Sequence, residues 1–174
     1  MDLHRTPASI REVSAHRYAA TLRAPFATLG VRTDGNAVTC LAYLPGDAAE
    51  ISPANRVAER AVRELARYLD DPAFVFTVAL APGGTPFQRR VWDAIRSIPL
   101  SESRTYGEVA RAVRSAPRAV GQACGANRIA LIIPCHRVVG SRGALGGFMG
   151  ADAGDSLSIK RWLLRHEGYR FGLE

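Results

Sequence analysis

The chain has 174 residues, 47% of them hydrophobic, and its formal charge of +7 lies wholly in the second half: residues 1–84 hold nine Arg against nine Asp and Glu, residues 85–174 thirteen Arg and one Lys against seven. That length and composition allow one ordinary domain or two small ones and hold no run that would span a bilayer; the localised basic excess points to a polyanion, nucleic acid first, with a merely solubilising surface as the plain alternative. No hydrophobic segment follows the N-terminal charges and three cysteines are too few for a disulfide framework, so a cytoplasmic protein with reduced thiols and no signal peptide is expected.

Residues 1–16 are polar and without period, which predicts a loosely docked arm. Residues 17–44 read as β. Val38, Cys40 and Ala42 alternate with Thr39, Leu41 and Tyr43, and Asp34-Gly35-Asn36 is a hairpin turn signal. Cys40 reads as a small hydrophobe of that strand. Ser52 and Pro53 predict an N-cap and a first helical residue, Val57, Ala61, Leu65 and Leu69 an apolar stripe, and Asp70-Asp71-Pro72 a stop. Phe74 to Val78 reads as a short strand. Ala81-Pro82-Gly83-Gly84 reads as a linker where charge and pattern both change, so two domains are predicted, 1–84 and 85–174.

The second half is mostly helical. Thr85-Pro86-Phe87-Gln88 is a capping box with Pro at the first helical position, and Phe87, Val91 and Ile95 line one face. Thr105-Tyr106-Gly107-Glu108 is a second capping box, opening a helix to about Val113. Pro117 opens another to about Asn127, and the pair reads as a helix-turn-helix. That second helix carries Gly121 and Gly125, each costing about 1 kcal/mol relative to alanine. Close packing or the close approach of a nucleic-acid backbone would justify them. Cys124 reads as packing. A glycine-rich loop follows from Gly140 to Phe148. Ser156 or Ser158 is expected to cap the last helix, with Ile159, Trp162, Leu163 and His166 facing the core and Gly168 ending it.

Between these elements lies Ile132-Ile133-Pro134-Cys135-His136-Arg137-Val138-Val139. Its apolar flanks predict a buried strand or strand end, although Pro134 argues against a full hydrogen-bond ladder; a buried turn holding thiol and imidazole fits both. The pair has three readings: inert packing, a zinc site short of ligands, or a thiolate activated by the imidazole. The third needs a group to orient His136, and Glu167 is the candidate.

The run from Gly125 to Val139 is similar to the active-site signature of the O6-alkylguanine-DNA alkyltransferases (methylated-DNA–protein-cysteine methyltransferases). The resemblance extends over residues 85–170, through Thr85-Pro86-Phe87, Thr105-Tyr106-Gly107, Arg118-Ala119-Val120-Gly121 and Trp162 to Gly168. It implies an α+β chain: a small N-terminal α/β, RNase H-like domain and a helical, winged-helix-like domain. It implies transfer of an alkyl group from O6-alkylguanine, with O4-alkylthymine as a further substrate, irreversibly to Cys135 after base flipping, without metal or organic cofactor, by a protein monomeric when free. His136, Glu167, Asn127 and Tyr106 would assist. Arg118, Tyr106, Ala119, Gly121, Gln122, Gly125, Arg128 and Ser141 would contact double-stranded DNA. Cys124, Val138, Phe148 and Met149 would form the base pocket. Arg128 stands where many relatives have proline, and the 150–155 loop is longer than in several. The rival readings are a winged-helix-like DNA binder whose cysteine packs or senses oxidation, and a Cys-His hydrolase.

Overall fold

The computed structural model describes residues 18–150 and 154–171. The predicted N-terminal arm and most of the 151–155 extension lie outside them. The first half holds an antiparallel sheet in the order β1 (Ala20–Ala24), β2 (Ala27–Thr33), β3 (Val38–Leu44). The Asp34 carboxylate closes the predicted turn by accepting from the backbone N–H of Asn36 and Ala37. Helix α1 (Arg56–Asp70) packs across β1 and β2. Its Ala58, Ala61, Leu65 and Tyr68 are buried, and sealing a large apolar side chain contributes about 1.5–3 kcal/mol.

Two expectations in this half need correction. The cap of α1 is Asn55, whose side chain accepts from Ala58 N–H at 2.9 Å, and not Ser52. The backbone of residues 51–54 is already engaged with the sheet: Thr21 N–H donates to Ile51 O and Ala54 N–H to Ala19 O, so the helix starts later. Phe74–Val78 is not a strand. The N–H groups of Thr77 and Val78 donate instead to the buried Glu64 carboxylate, at 2.8 and 2.9 Å, leaving no ladder to join. Pairing with β3 comes two residues later, where Val38 bridges Leu80 in parallel. Cys40 is only half-buried on β3.

Both capping boxes form as their spacing predicts, at the starts of α2 (Pro86–Arg96) and α3 (Tyr106–Ala112). Just before α2, Gly84 sits at φ +80°, and a Cβ there would strike the Trp92 ring at 2.5 Å, so only glycine fits this turn. Residues 113–116 turn α3 into α4 (Pro117–Gly125), which ends two residues short of the predicted limit. Arg104–Thr105 form an unpredicted strand, β4, which pairs in parallel with β5 (Val138–Val139). The last helix, α5 (Asp155–His166), is entered through Gly154 at φ +73° with no side-chain cap, so neither Ser156 nor Ser158 caps it. Its end is a Schellman turn: Gly168 N–H donates to Arg165 O and Tyr169 N–H to Leu164 O. Leu163 and Leu164 are its buried residues at this end, with Trp162 and His166 half-buried.

The halves share one core. Leu41 N–H donates to Arg128 O at 2.8 Å, and the Phe26 and Trp162 rings lie 4.6 Å apart. Among the described residues no helix is long and apolar enough to cross a membrane.

Candidate active site

Pro134 sets the geometry of the Cys-His pair. Its φ of −80° and ψ of 63°, with Cys135 N–H donating to Ile133 O at 2.8 Å, make an inverse γ-turn. A single 3₁₀ turn (Cys135–Arg137) follows before the chain becomes β5. The expected strand is thus confined to its last two residues. Neighbours in a 3₁₀ turn are about a third of a turn apart, not on opposite faces as in a strand.

Cys135 is buried, and Asn127 Nδ2 donates to its Sγ at 2.9 Å. The same amide donates to Ile133 O at 3.0 Å and accepts from Ile129 N–H at 2.9 Å, so it is clamped from three sides. Ending α4 at Gly125 is what frees Asn127 for this. Cys124 sits on the last turn of α4, buried, with Cys135 as its neighbour. The neighbouring Cys135 sulfur and burial push the Cys124 thiol well up, so it stays a thiol.

His136 is fully buried, and burial lowers its pKa from the ordinary 6.5 despite the adjacent Glu167 carboxylate. Its Nε2 lies 2.9 Å from Glu167 Oε1. An ionised carboxylate only accepts, so Nε2 carries the proton and Nδ1 the lone pair. Nδ1 is buried and bonds no protein atom among the described residues. Burial pushes the Glu167 carboxyl up, but hydrogen bonds from His136 and Arg137 outweigh it and hold it at about 2. Arg137 supplies a two-pronged clamp, Nε to Oε2 at 2.8 Å and Nη2 to Oε1 at 2.9 Å. The result is a neutral imidazole with a free basic nitrogen, oriented by a fixed anion.

A cleft of about 650 Å³ opens between α4 and residues 147–150. Tyr106, Arg118, Gly121, Gln122, Cys124, Gly125, Phe148 and Met149 line it. Tyr106 donates from its hydroxyl to Gly147 O at 3.0 Å. Val138 lies behind this wall, buried, with its carbonyl held by Lys160 Nζ at 2.6 Å. Ala119 is half-buried on α4, Arg128 is exposed with its carbonyl spent on β3, and Ser141 is exposed beyond β5; none of the three lines the cleft. Cys124 lines the cleft on the glycine face of α4, while Cys135 is buried and is not among the lining residues.

Residues 86–169 match the family model described as the DNA-binding domain of 6-O-methylguanine DNA methyltransferase. The methylated-DNA–protein-cysteine methyltransferase of Methanosarcina acetivorans is 46% identical over 110 residues, covering 62% of this chain and 67% of that one. The crystal structure of the Mycobacterium tuberculosis O6-methylguanine methyltransferase superposes with a TM-score of 0.72 at 35% identity, covering 86% of this chain and 92% of that one. This chain belongs to the methylated-DNA–protein-cysteine methyltransferase family. Its match to the Salmonella typhimurium methyltransferase, 48% identical over 99 residues, spans about half of each protein, 56% of this chain and 55% of that one. The Mycobacterium tuberculosis methyltransferase solved in complex with DNA gives a TM-score of 0.72 at 38% identity, covering 84% of this chain and 90% of that one.

Lys160 and Tyr68 were not anticipated from the sequence at this site. Lys160 is fully buried, donates to the carbonyls of Val138 and Gly147, and is pushed down by burial to about 8. It ties β5 to the cleft wall. The signal was present: it is the single lysine of a chain with twenty-two arginines. Tyr68 had no such signal, standing in α1 as one more apolar position.

Proposed function

We propose that this chain repairs O6-alkylguanine in double-stranded DNA by moving the alkyl group irreversibly to Cys135, once per molecule. The observation that carries the reading is Cys135 Sγ held by the Asn127 amide at the end of α4 and followed in the chain by a neutral, Glu167-bound His136. The amide fixes the sulfur in place, and a neutral imidazole can take its proton.

The damaged base is inaccessible inside a duplex, so it is extruded into the cleft, where Phe148 and Met149 flank it and Tyr106 meets its phosphate or edge. Arg118, exposed at the start of α4, fills the gap left in the stack. The thiol proton passes, through a bridging water, to His136 Nδ1, and Glu167 stabilises the imidazolium. The thiolate forms an S–C bond to the alkyl carbon as the C–O6 bond breaks. The electron pair stays on the guanine, which recovers the proton. The thioether is stable, which makes the event stoichiometric. O4-alkylthymine offers the same electrophilic carbon.

The three-stranded sheet with α1 supports an RNase H-like description of the first half, and α3, α4 and the β4–β5 pair a winged-helix-like one for the second. Free cysteines at 40, 124 and 135 suit a reducing, cytoplasmic setting.

The test is a single-turnover assay with excess protein and duplex DNA carrying labelled O6-methylguanine. The label should appear on Cys135, one per chain, while Cys135→Ala binds the duplex and transfers nothing. Lesion removal by Cys135→Ala would overturn the assignment, and repeated turnover on an ester or peptide would favour a hydrolase.

A further inference from the structure

Tyr68 lies near the end of α1, in the half of the chain that does not hold the nucleophile, and is 2% exposed. Its hydroxyl donates to Glu167 Oε1 at 2.8 Å, the same oxygen that accepts from His136 Nε2 and Arg137 Nη2, each at 2.9 Å. Its carbonyl lies 2.8 Å from His166 Nε2, and its ring meets the His166 ring edge-on at 5.3 Å. One residue of α1 thus grips two consecutive positions at the end of α5. Packing two domains together requires the ring and nothing more. A buried hydroxyl on the carboxylate that orients His136 does something else.

Resting on the repair reading, we infer that Tyr68 is a positioning residue for alkyl transfer: its hydroxyl fixes Glu167 Oε1 against His136 Nε2 and takes up part of the carboxylate's charge. The N-terminal half then belongs to the proton relay as well as to the scaffold. Burial and the Glu167 carboxylate keep the phenol far above its ordinary pKa, so Tyr68 remains a donor across the working range. The charged groups around His136 are Glu167 and Lys160 from α5 and its cap, and Arg137 from its own turn, with the Cys135 thiol adjacent in sequence. Tyr68 acts on this set through Glu167. Oxygen lone pairs shared among more donors pull less on each. Withdrawing the Tyr68 hydroxyl concentrates the carboxylate's charge on His136 Nε2–H and favours the imidazolium, which cannot accept the thiol proton.

Tyr68→Phe keeps the ring and removes the donor. In the full-length variant, the pH at which His136 gains its proton, read from imidazole nitrogen shifts by NMR, should rise by roughly half a unit or more. The acid limb of the single-turnover rate should move the same way, so that transfer on that limb slows by about threefold for each half unit. A purely packing role would change the melting temperature and leave the His136 titration in place. Wild-type titration and wild-type rate in Tyr68→Phe would overturn the inference. Failure of the wild-type protein itself to accept the methyl group would instead sink the repair reading, and the His136 titration would still decide the role of Tyr68.

Discussion

Glu167 concentrates the most contacts of any acid at the site, with Tyr68, His136 and Arg137 all donating to it. Its folded pKa, about 2, lies below the ordinary 4.5, so on acidification the unfolded chain takes up this proton first. The stability Glu167 contributes is complete above about pH 4.5 and is lost as pH falls towards about 2. Glu167→Gln should therefore be less stable than wild type at neutral pH by a few kcal/mol, on the order expected for breaking a buried pair. Denaturant unfolding should show that gap narrowing below about pH 4.5. A gap constant with pH would mean that the carboxylate is not ionised in the folded protein. The same residue shows how far sequence reaches: Glu167 stood out as an orienting group only once Cys135-His136 required one, and its remaining partners did not stand out at all.

At the level of elements, α4 is a marginal helix by composition. It has no side-chain cap and carries glycine at 121 and 125. Neither glycine is forced by packing within the protein. A Cβ at Gly121 would lie 3.9 Å from the Tyr106 ring, and one at Gly125 would lie 3.4 Å from Gly150 Cα, both contact distances. The bare face is better explained by what must approach it from outside. Gly121→Ala should raise thermal stability by up to about 1 kcal/mol, the helix propensity difference. It should also weaken duplex binding and slow transfer from duplex more than from the free base, measured side by side. A stability loss, or unchanged handling of duplex, would return the glycine to a packing role. The capping boxes of α2 and α3 were legible because each needs a backbone N–H and a side chain three residues apart. Phe74–Val78 was misread because burial does alternate along it, yet its N–H groups are taken by Glu64, more than ten positions away.

For the whole molecule, the charge excess of the second half coincides with exposed arginines on and around the α3–α4 pair, at 104, 111, 114, 118 and 128. Binding to DNA through these groups releases counterions, so log affinity should fall linearly with log salt, by about 0.9 for each phosphate neutralised. A fluorescence-anisotropy titration on undamaged duplex should give a slope of about −3 or steeper, corresponding to three or more phosphates. Affinity indifferent to salt would exclude the arginine surface as the docking face.

Local order in the sequence determined the helices with capping boxes, the β-hairpin, the identity of the nucleophile and its neighbour, and the basic half. Each depends on residues within a few positions of one another, where spacing alone fixes geometry. The tertiary structure decided what surrounds the sulfur: Lys160 on the carbonyls of Val138 and Gly147, Cys124 against Cys135, and Tyr68 on Glu167 across 99 positions. Contacts of that kind leave no periodic trace, because they are set by how α1 and α5 pack around a shared core and by the need of each buried polar atom for a partner.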